Sequence, residues 1–101
     1  MEVHKGDIVL SLSGRDKGRA LFVSDIDGPY LILVDGKSRR IEHPKRKKSK
    51  HCQFLARDSS RVSEKLRTGE RVANIDVRRA LAALRAGAAG QSEDNGDTGE
   101  V

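Results

Sequence analysis

The sequence has little of what usually stabilises a secreted domain or builds a large core. Its one cysteine, Cys52, cannot form an internal disulfide, so a reducing, intracellular environment is the simpler interpretation. Tryptophan is absent and aromatic residues make up 3% of the chain, so Val, Ile, Leu and Ala must supply the core. The 101 residues fit one small domain, and the limited apolar content indicates that only part of the chain folds compactly.

Long apolar runs are also missing. No segment approaches the ~20 consecutive apolar residues of a membrane-spanning helix. The start of the chain, MEVHKGDIVL, has no charged lead before a long apolar stretch. We therefore expect a cytoplasmic protein with no signal peptide and no membrane partner.

The residue patterns of common enzyme sites are absent as well. Gly14 and Gly18 are separated by three residues, a shorter spacing than that of a Walker-type phosphate loop, and a strand pattern follows where that loop needs a helix. His43, His51 and Cys52 lack the spacing of metal ligands, and nothing marks Cys52 as an activated nucleophile. We expect no enzymatic activity, no metal, no cofactor and no small-molecule substrate.

The apolar pattern predicts short strands with turns between them. Asp27-Gly28 and Asp35-Gly36 are strong turn signals. The predicted strands are residues 7–12, 19–26, 30–34, 37–43 (centred on Ile41) and 51–56. Such tight spacing is typical of a small meandering barrel. The expected core residues are Val9, Leu21, Val23, Ile32 and Val34.

Two helices are predicted after the strands. Residues 59–67 have a serine cap, Ser59 or Ser60, and a stop at Gly69. Residues 74–86 begin at a capping Asn74 and end at Gly87. Three apolar residues on one face of this second helix should dock on the barrel: Val77, Leu81 and Leu84. We thus expect a mainly β chain, with a barrel at 1–56, a helical extension at 57–86 and a disordered acidic tail at 87–101.

The net charge of +5 is unevenly distributed. All 20 Lys and Arg residues lie before residue 87, whereas four of the 15 acidic residues lie after it. A body this basic indicates a polyanionic partner, either nucleic acid or an anionic membrane surface. A membrane-surface helix needs bulky apolar groups opposite its lysines. Residues 74–86 have small alanines instead, so nucleic acid is the better interpretation.

The densest basic segment is residues 37–51, with eight Lys or Arg against one Glu. A solvated loop is the alternative interpretation of such a run. Here, however, the run lies between predicted strands, a second cluster lies on the glycine-flanked loop, and basic residues continue through 57–67. With so few aromatics, contacts should be to phosphates and to the shape of folded RNA. The candidate RNA-binding residues are Arg15, Lys17, Arg19, Lys37, Arg39, Arg40, Lys45, Arg46, Lys47, Lys48 and Lys50.

Three segments together resemble a KOW motif: 6–9 (GDIV), 13–19 (SGRDKGR) and 21–23 (LFV). With 34–40, the 44–50 run, His51 and 74–81 (NIDVRRAL), the chain is similar to KOW-containing RNA-binding proteins of Gram-positive bacteria. These are related to large-subunit ribosomal proteins of archaea and eukaryotes. The resemblance covers about residues 6–84 and implies an SH3-like barrel, with Gly14 and Gly18 shaping the KOW turn.

The resemblance also implies a role. The expected partner is RNA, in the first place ribosomal RNA, with ribosomal proteins as further partners. The alternative is a KOW module that binds proteins in transcription or translation. Either a stoichiometric ribosomal subunit or an auxiliary factor fits the pattern. We expect a monomer when the protein is free.

Overall fold

The computed structural model describes residues 2–89, of which 87–89 as backbone only. The strands and helices, in chain order, are β1 (Ile8–Ser11), β2 (Ala20–Asp27), β3 (Tyr30–Val34), β4 (Lys45–Lys48), β5 (Cys52–Ala56), α1 (Arg61–Thr68) and α2 (Asn74–Ala89). A 3-10 turn, Ser49–His51, connects β4 to β5. The prediction of a mainly β chain followed by two helices is confirmed. Among the residues described, neither helix is long and apolar enough to cross a membrane.

The strands form one antiparallel sheet in the order β4-β3-β2-β1-β5. The predicted barrel is not closed, because no ladder joins β4 to β5 within residues 2–89. β4 has only four residues, which pair with β3 along one edge and leave the other edge of the strand open. The chain then turns through Ser49–His51 and pairs with β1 at the other edge of the sheet.

Both faces of the sheet are covered. On one face, aliphatic side chains pack on each other: Val9, Leu21, Val23, Leu31 and Leu33. On the other, residues of β1, β2 and β3 pack against the helices: Ile8, Phe22 and Val34 against Val62, Leu66, Val77 and Leu81. The predicted docking face of α2 is confirmed, and Leu84 lies at its margin, partly buried. The face that packs against α1 and α2 depends on these helices for cover.

Ile32 is an exception among the predicted core residues, because it is only half-buried. Its neighbours on the adjacent strands are the charged residues Asp25 and Arg46. A β-bulge between Val23 and Asp25 shifts the register of β2 at this point. The other four predicted core residues are all buried.

The fourth strand is the basic run itself, so its predicted place at 37–43 is wrong. Residues 35–43 form a loop, because the Asp35 carboxylate accepts hydrogen bonds from the backbone N–H groups of Lys37 (2.8 Å) and Arg39 (2.7 Å). In β4, the half-buried Lys45 and Lys47 pair with Leu33 and Leu31. Their aliphatic stems can lie along apolar surface while the ammonium groups remain in a polar environment.

The ends of the helices follow the predictions in part. Ser60 caps α1 by accepting a hydrogen bond from the Ser63 N–H, and Gly69 ends the helix in the left-handed conformation. Asn74, in contrast, does not cap α2, because its side chain accepts a hydrogen bond from the Ile41 N–H (2.8 Å) and donates to Glu42 (2.9 Å). The helix continues past the predicted stop to Ala89. The rest of the predicted acidic tail, after Ala89, lies outside the part of the chain that the structure describes.

The packing of α2 against the second loop should be sensitive to substitution at Gly36. Its φ is +78°, and an added Cβ would clash with the backbone carbonyl oxygen of Asn74. We expect Gly36→Ala to lower the free energy of unfolding by about 3 kcal/mol, because strain and overpacking add. Gly28→Ala is the matched control, since Gly28 also has a positive φ (+58°) but no atom within 4 Å of the new methyl group. Its cost should be about 1 kcal/mol.

Urea unfolding of both variants, followed by circular dichroism, measures the difference. Equal losses would show that the left-handed conformation alone matters, and that the contact with α2 contributes nothing.

Candidate nucleic-acid interface

Three cationic segments come together in the fold. They are the first loop (residues 12–19, between β1 and β2), the second loop (residues 35–44, between β3 and β4) and β4 itself. The two loops are joined by Asp16, whose Oδ2 accepts a hydrogen bond from Nε of Arg39 (3.1 Å) and lies 2.9 Å from Nη2 of the same guanidinium in a salt bridge. A second link runs from Arg19 Nη1 to Ser38 Oγ (2.9 Å). These contacts hold the two loops side by side.

The two glycines of the first loop shape its turn. Gly14 and Gly18 have φ values of +76° and +85°, a conformation that other residues rarely adopt. The Gly18 N–H donates to the Ser11 carbonyl (2.8 Å), and the Lys17 N–H donates to the Gly14 carbonyl (3.2 Å). This backbone path buries the Asp16 side chain. The three cations around it stay exposed: Arg15, Lys17 and Arg19.

β4 is tied to the first loop by one lysine. Lys47 Nζ donates a hydrogen bond to the Ser13 carbonyl (2.8 Å). Arg46 points elsewhere, since its guanidinium lies 3.7 Å from the centre of the Tyr30 ring and 3.2 Å from an Asp27 oxygen. Lys48 pairs with Tyr30 at the turn between β2 and β3. Within β4, therefore, Lys47 makes the connection to the loops.

The predicted binding residues fall into two groups. One group is engaged in contacts with other protein groups: Arg19, Arg39, Arg40, Arg46 and Lys47. The other group makes no salt bridge to any carboxylate of residues 2–89: Arg15, Lys17, Lys37, Lys45, Lys48 and Lys50. All of these except the half-buried Lys45 are exposed. The second group holds the cations that are most available to a polyanion.

The second loop is organised around the carboxylate of Asp35. Burial raises the pKa of the Asp35 carboxyl, but hydrogen bonds from the Arg39 and Lys37 N–H groups and from the Ser38 hydroxyl outweigh burial. The Arg19 guanidinium acts in the same direction. The pKa of Asp35 therefore lies below 3.8, and the loop keeps an ionised centre with cations at its rim.

Two basic residues that extend the predicted positive surface toward α1 serve the fold instead. Arg57 donates hydrogen bonds from Nε and Nη2 (both 3.1 Å) to the carboxylate of Asp7, which is fully buried. Burial raises the pKa of Asp7, but the hydrogen bonds from Arg57 and the His4 N–H outweigh burial and hold the pKa below 3.8. Arg67 donates to the backbone carbonyl of Asp58. The guanidinium groups of both residues are thus hydrogen-bonded within the protein.

Nothing in the sequence alone distinguishes Asp16 from a solvated loop acid, because its partner Arg39 is 23 residues away. The only local signal is the turn geometry of the two flanking glycines. Acidic residues inside a basic segment are thus easily overlooked, although this one positions the cations around it.

The structure also bears on other kinds of site. In residues 2–89, no group of three His, Cys, Asp or Glu side chains could hold a metal ion. Burial raises the pKa of the Cys52 thiol more than the nearby Lys47 lowers it, which disfavours a reactive thiolate. Neither a protein-family model nor a curated protein matches the chain. The interpretation of the site therefore depends on its own geometry and charge.

Arg39 and Lys37, two basic residues of the same loop, should behave differently. Arg39→Ala leaves the buried Asp16 carboxylate without its cation, so we expect the free energy of unfolding to fall by about 3 kcal/mol. Lys37→Ala removes an exposed side chain without a salt bridge to a described carboxylate, and the change should stay below about 0.5 kcal/mol. Urea unfolding at neutral pH measures both values. A loss of the same size in both variants would show that the Asp16–Arg39 pair does not hold the loops.

Proposed function

We propose that the protein is a cytoplasmic KOW-domain RNA-binding protein, with an SH3-like arrangement of its strands and structured ribosomal RNA as its partner. The observation that carries the proposal is the contact between the two cationic loops, which the Asp16–Arg39 pair joins, with β4 tied to the first loop by Lys47. Three exposed cations on these loops, Arg15, Lys17 and Lys37, have no salt bridge to a described carboxylate. RNA phosphates are the ligands that such a surface attracts most strongly.

The positions of the aromatic residues favour contacts with phosphates over contacts with bases. Phe22 is buried in the core, and the Arg46 guanidinium covers the Tyr30 ring at 3.7 Å. The Arg57 guanidinium lies 5.7 Å from the centre of the Phe54 ring. Stacking on splayed bases needs open aromatic faces. Recognition by backbone and shape, as for folded RNA, fits this surface better.

The buried face of α2 argues against a membrane surface as the anionic partner. Val77 and Leu81 are packed against the sheet, so this helix has no free apolar face to insert between lipids. The proposal involves no catalytic step, metal or cofactor. Ribosomal proteins remain the further partners expected from the KOW resemblance.

A salt titration of RNA binding tests the proposal. The probe is purified bacterial large-subunit ribosomal RNA, and binding is followed by filter retention between about 0.05 and 0.3 M salt. Replacement of the three loop cations Arg15, Lys17 and Lys37 by Ala should reduce the slope of log K against log salt by about 3, because each phosphate contact contributes about 0.9. The charge-matched control replaces Arg61, Arg71 and Arg79, which are exposed and lie outside both loops.

The control should keep a slope close to that of the wild type. If both triple variants lose slope equally, the loops are not the site and only total charge matters. If the wild type does not bind RNA even at low salt, the proposal is wrong and a KOW module that binds proteins is the better interpretation.

Sedimentation separates a ribosome-bound protein from a free one. In sucrose gradients of cell lysate at low salt, we expect the wild type to migrate with ribosomal particles and to return to the top fractions at high salt. The triple loop variant should stay in the top fractions at both salt concentrations. A wild-type protein that never leaves the top fractions would exclude the ribosome as its main partner.

A further inference from the structure

A groove lies between α2 and the two loops. Its rim carries four cations, Arg19 and Lys37 from the loops and Arg78 and Arg85 from α2. The two α2 residues are seven positions apart on one side of the helix, a distance of roughly 10 Å along its axis. The sequence alone places Arg78 and Arg85 together on a face of the second helix that differs from its docking face, where they are expected to be solvated. The fold brings them beside the loop cations.

The second loop contacts the first turns of α2, which carry Arg78. The backbone of α2 approaches Gly36 so closely that only a glycine fits there. Arg78 Nη1 lies 3.5 Å from the Gly36 carbonyl, and Asn74 accepts a hydrogen bond from the Ile41 N–H. The groove therefore depends on the same loop whose other cations face a polyanion in the proposed function.

One acidic residue lines the groove, and its charge is directed inward. The Asp35 carboxylate accepts hydrogen bonds from Lys37, Arg39 and Ser38, and its side chain is only 11% exposed. Asp35 also lies 3.9 Å from Arg19 Nη1 and offsets part of that charge. With four cations and one acid among its lining residues, the groove keeps a net positive charge. The floor of the groove is apolar: Leu10, Ala20 and Leu81. It offers few polar groups with which to read bases.

The arrangement of charge fits an extended anion better than a single ion. A site for one phosphate group gathers its donors around one point. Here the cations are spread along both walls of an open groove, two on the loops and two on the helix. A phosphodiester chain presents one negative charge per nucleotide along its length. Such a ligand can contact both walls at once.

We propose that this groove binds the RNA backbone, with Arg78 and Arg85 as its phosphate contacts on α2. The RNA interface then extends from the two loops onto the C-terminal helix. This inference rests on the proposed function, because it assigns further contacts to the same RNA ligand. It gives α2 a binding role in addition to covering the sheet.

Paired variants test the groove with the same ribosomal RNA probe. Replacement of Arg78 and Arg85 by Ala should lower the salt slope by about 2 and weaken binding by about tenfold per contact at about 0.1 M salt. The control replaces Arg79, the neighbour of Arg78 outside the groove, and Arg61 on α1, so the change in net charge is the same. This control should leave the slope nearly unchanged.

Because Arg78 also contacts the second loop, Arg85→Ala alone is the second variant. In residues 2–89, the hydrogen bond to the Gly36 carbonyl comes from Arg78 and not from Arg85. Arg85→Ala should therefore lower the slope by about 1 without changing the melting temperature. If the wild type binds RNA and the groove variants behave like the control, the groove inference is wrong while the proposed function stands. If the wild type does not bind, the proposed function itself fails. Complete competition by tripolyphosphate at low concentration would instead indicate a site for a single small anion and overturn the extended groove.

Discussion

The Asp16–Arg39 ion pair is the interaction on which the cationic surface depends. Two loops rich in like charges repel each other, and nothing in their own backbones would keep them adjacent. The Asp16 carboxylate is nearly excluded from solvent, so it requires its guanidinium partner and holds the second loop against the first. The exposed cations of both loops gain fixed relative positions from this buried pair, together with the exposed hydrogen bond from Arg19 to Ser38. An acidic residue thereby organises a basic surface.

A second constraint comes from the sheet, which is apolar on both faces and too open to cover itself completely. The helices supply the missing cover, and α2 is held in place at Gly36 and through the bonds from Asn74 to the second loop. Core packing and the cationic surface are therefore linked. The loop that presents Lys37 also sets the position of the helix that completes the core.

Features encoded by neighbouring residues could be predicted from the sequence. The bounds of β3, the Ser60 cap and the Gly69 stop of α1 are all local, and all agree with the structure. The place of β4 could not be predicted, because four consecutive basic residues show no alternation of apolar and polar side chains. That strand forms because β3 offers an edge and lysine stems can cover Leu31 and Leu33.

The candidate site divides in the same way. Its charges are visible in the sequence, whereas the contacts that engage Arg39, Arg46 and Lys47 join residues 19 or more positions apart. Such pairs are selected by the tertiary fold and leave no local pattern. The side-chain bonds of Asn74 to the second loop are hidden for the same reason, since an asparagine at the start of a helix is ordinarily interpreted as a cap.

The position of β4 has a consequence for the free protein. An edge strand presents unpaired backbone groups that invite a strand from another molecule. Here that edge is KRKK, so two copies that approach edge to edge bring eight positive charges together. Self-association is opposed most strongly when the protein is unbound and the salt concentration is low. Under the proposed function, RNA bound along this strand neutralises the repulsion and covers the edge, so charge protects the edge in the free protein and the ligand protects it in the complex.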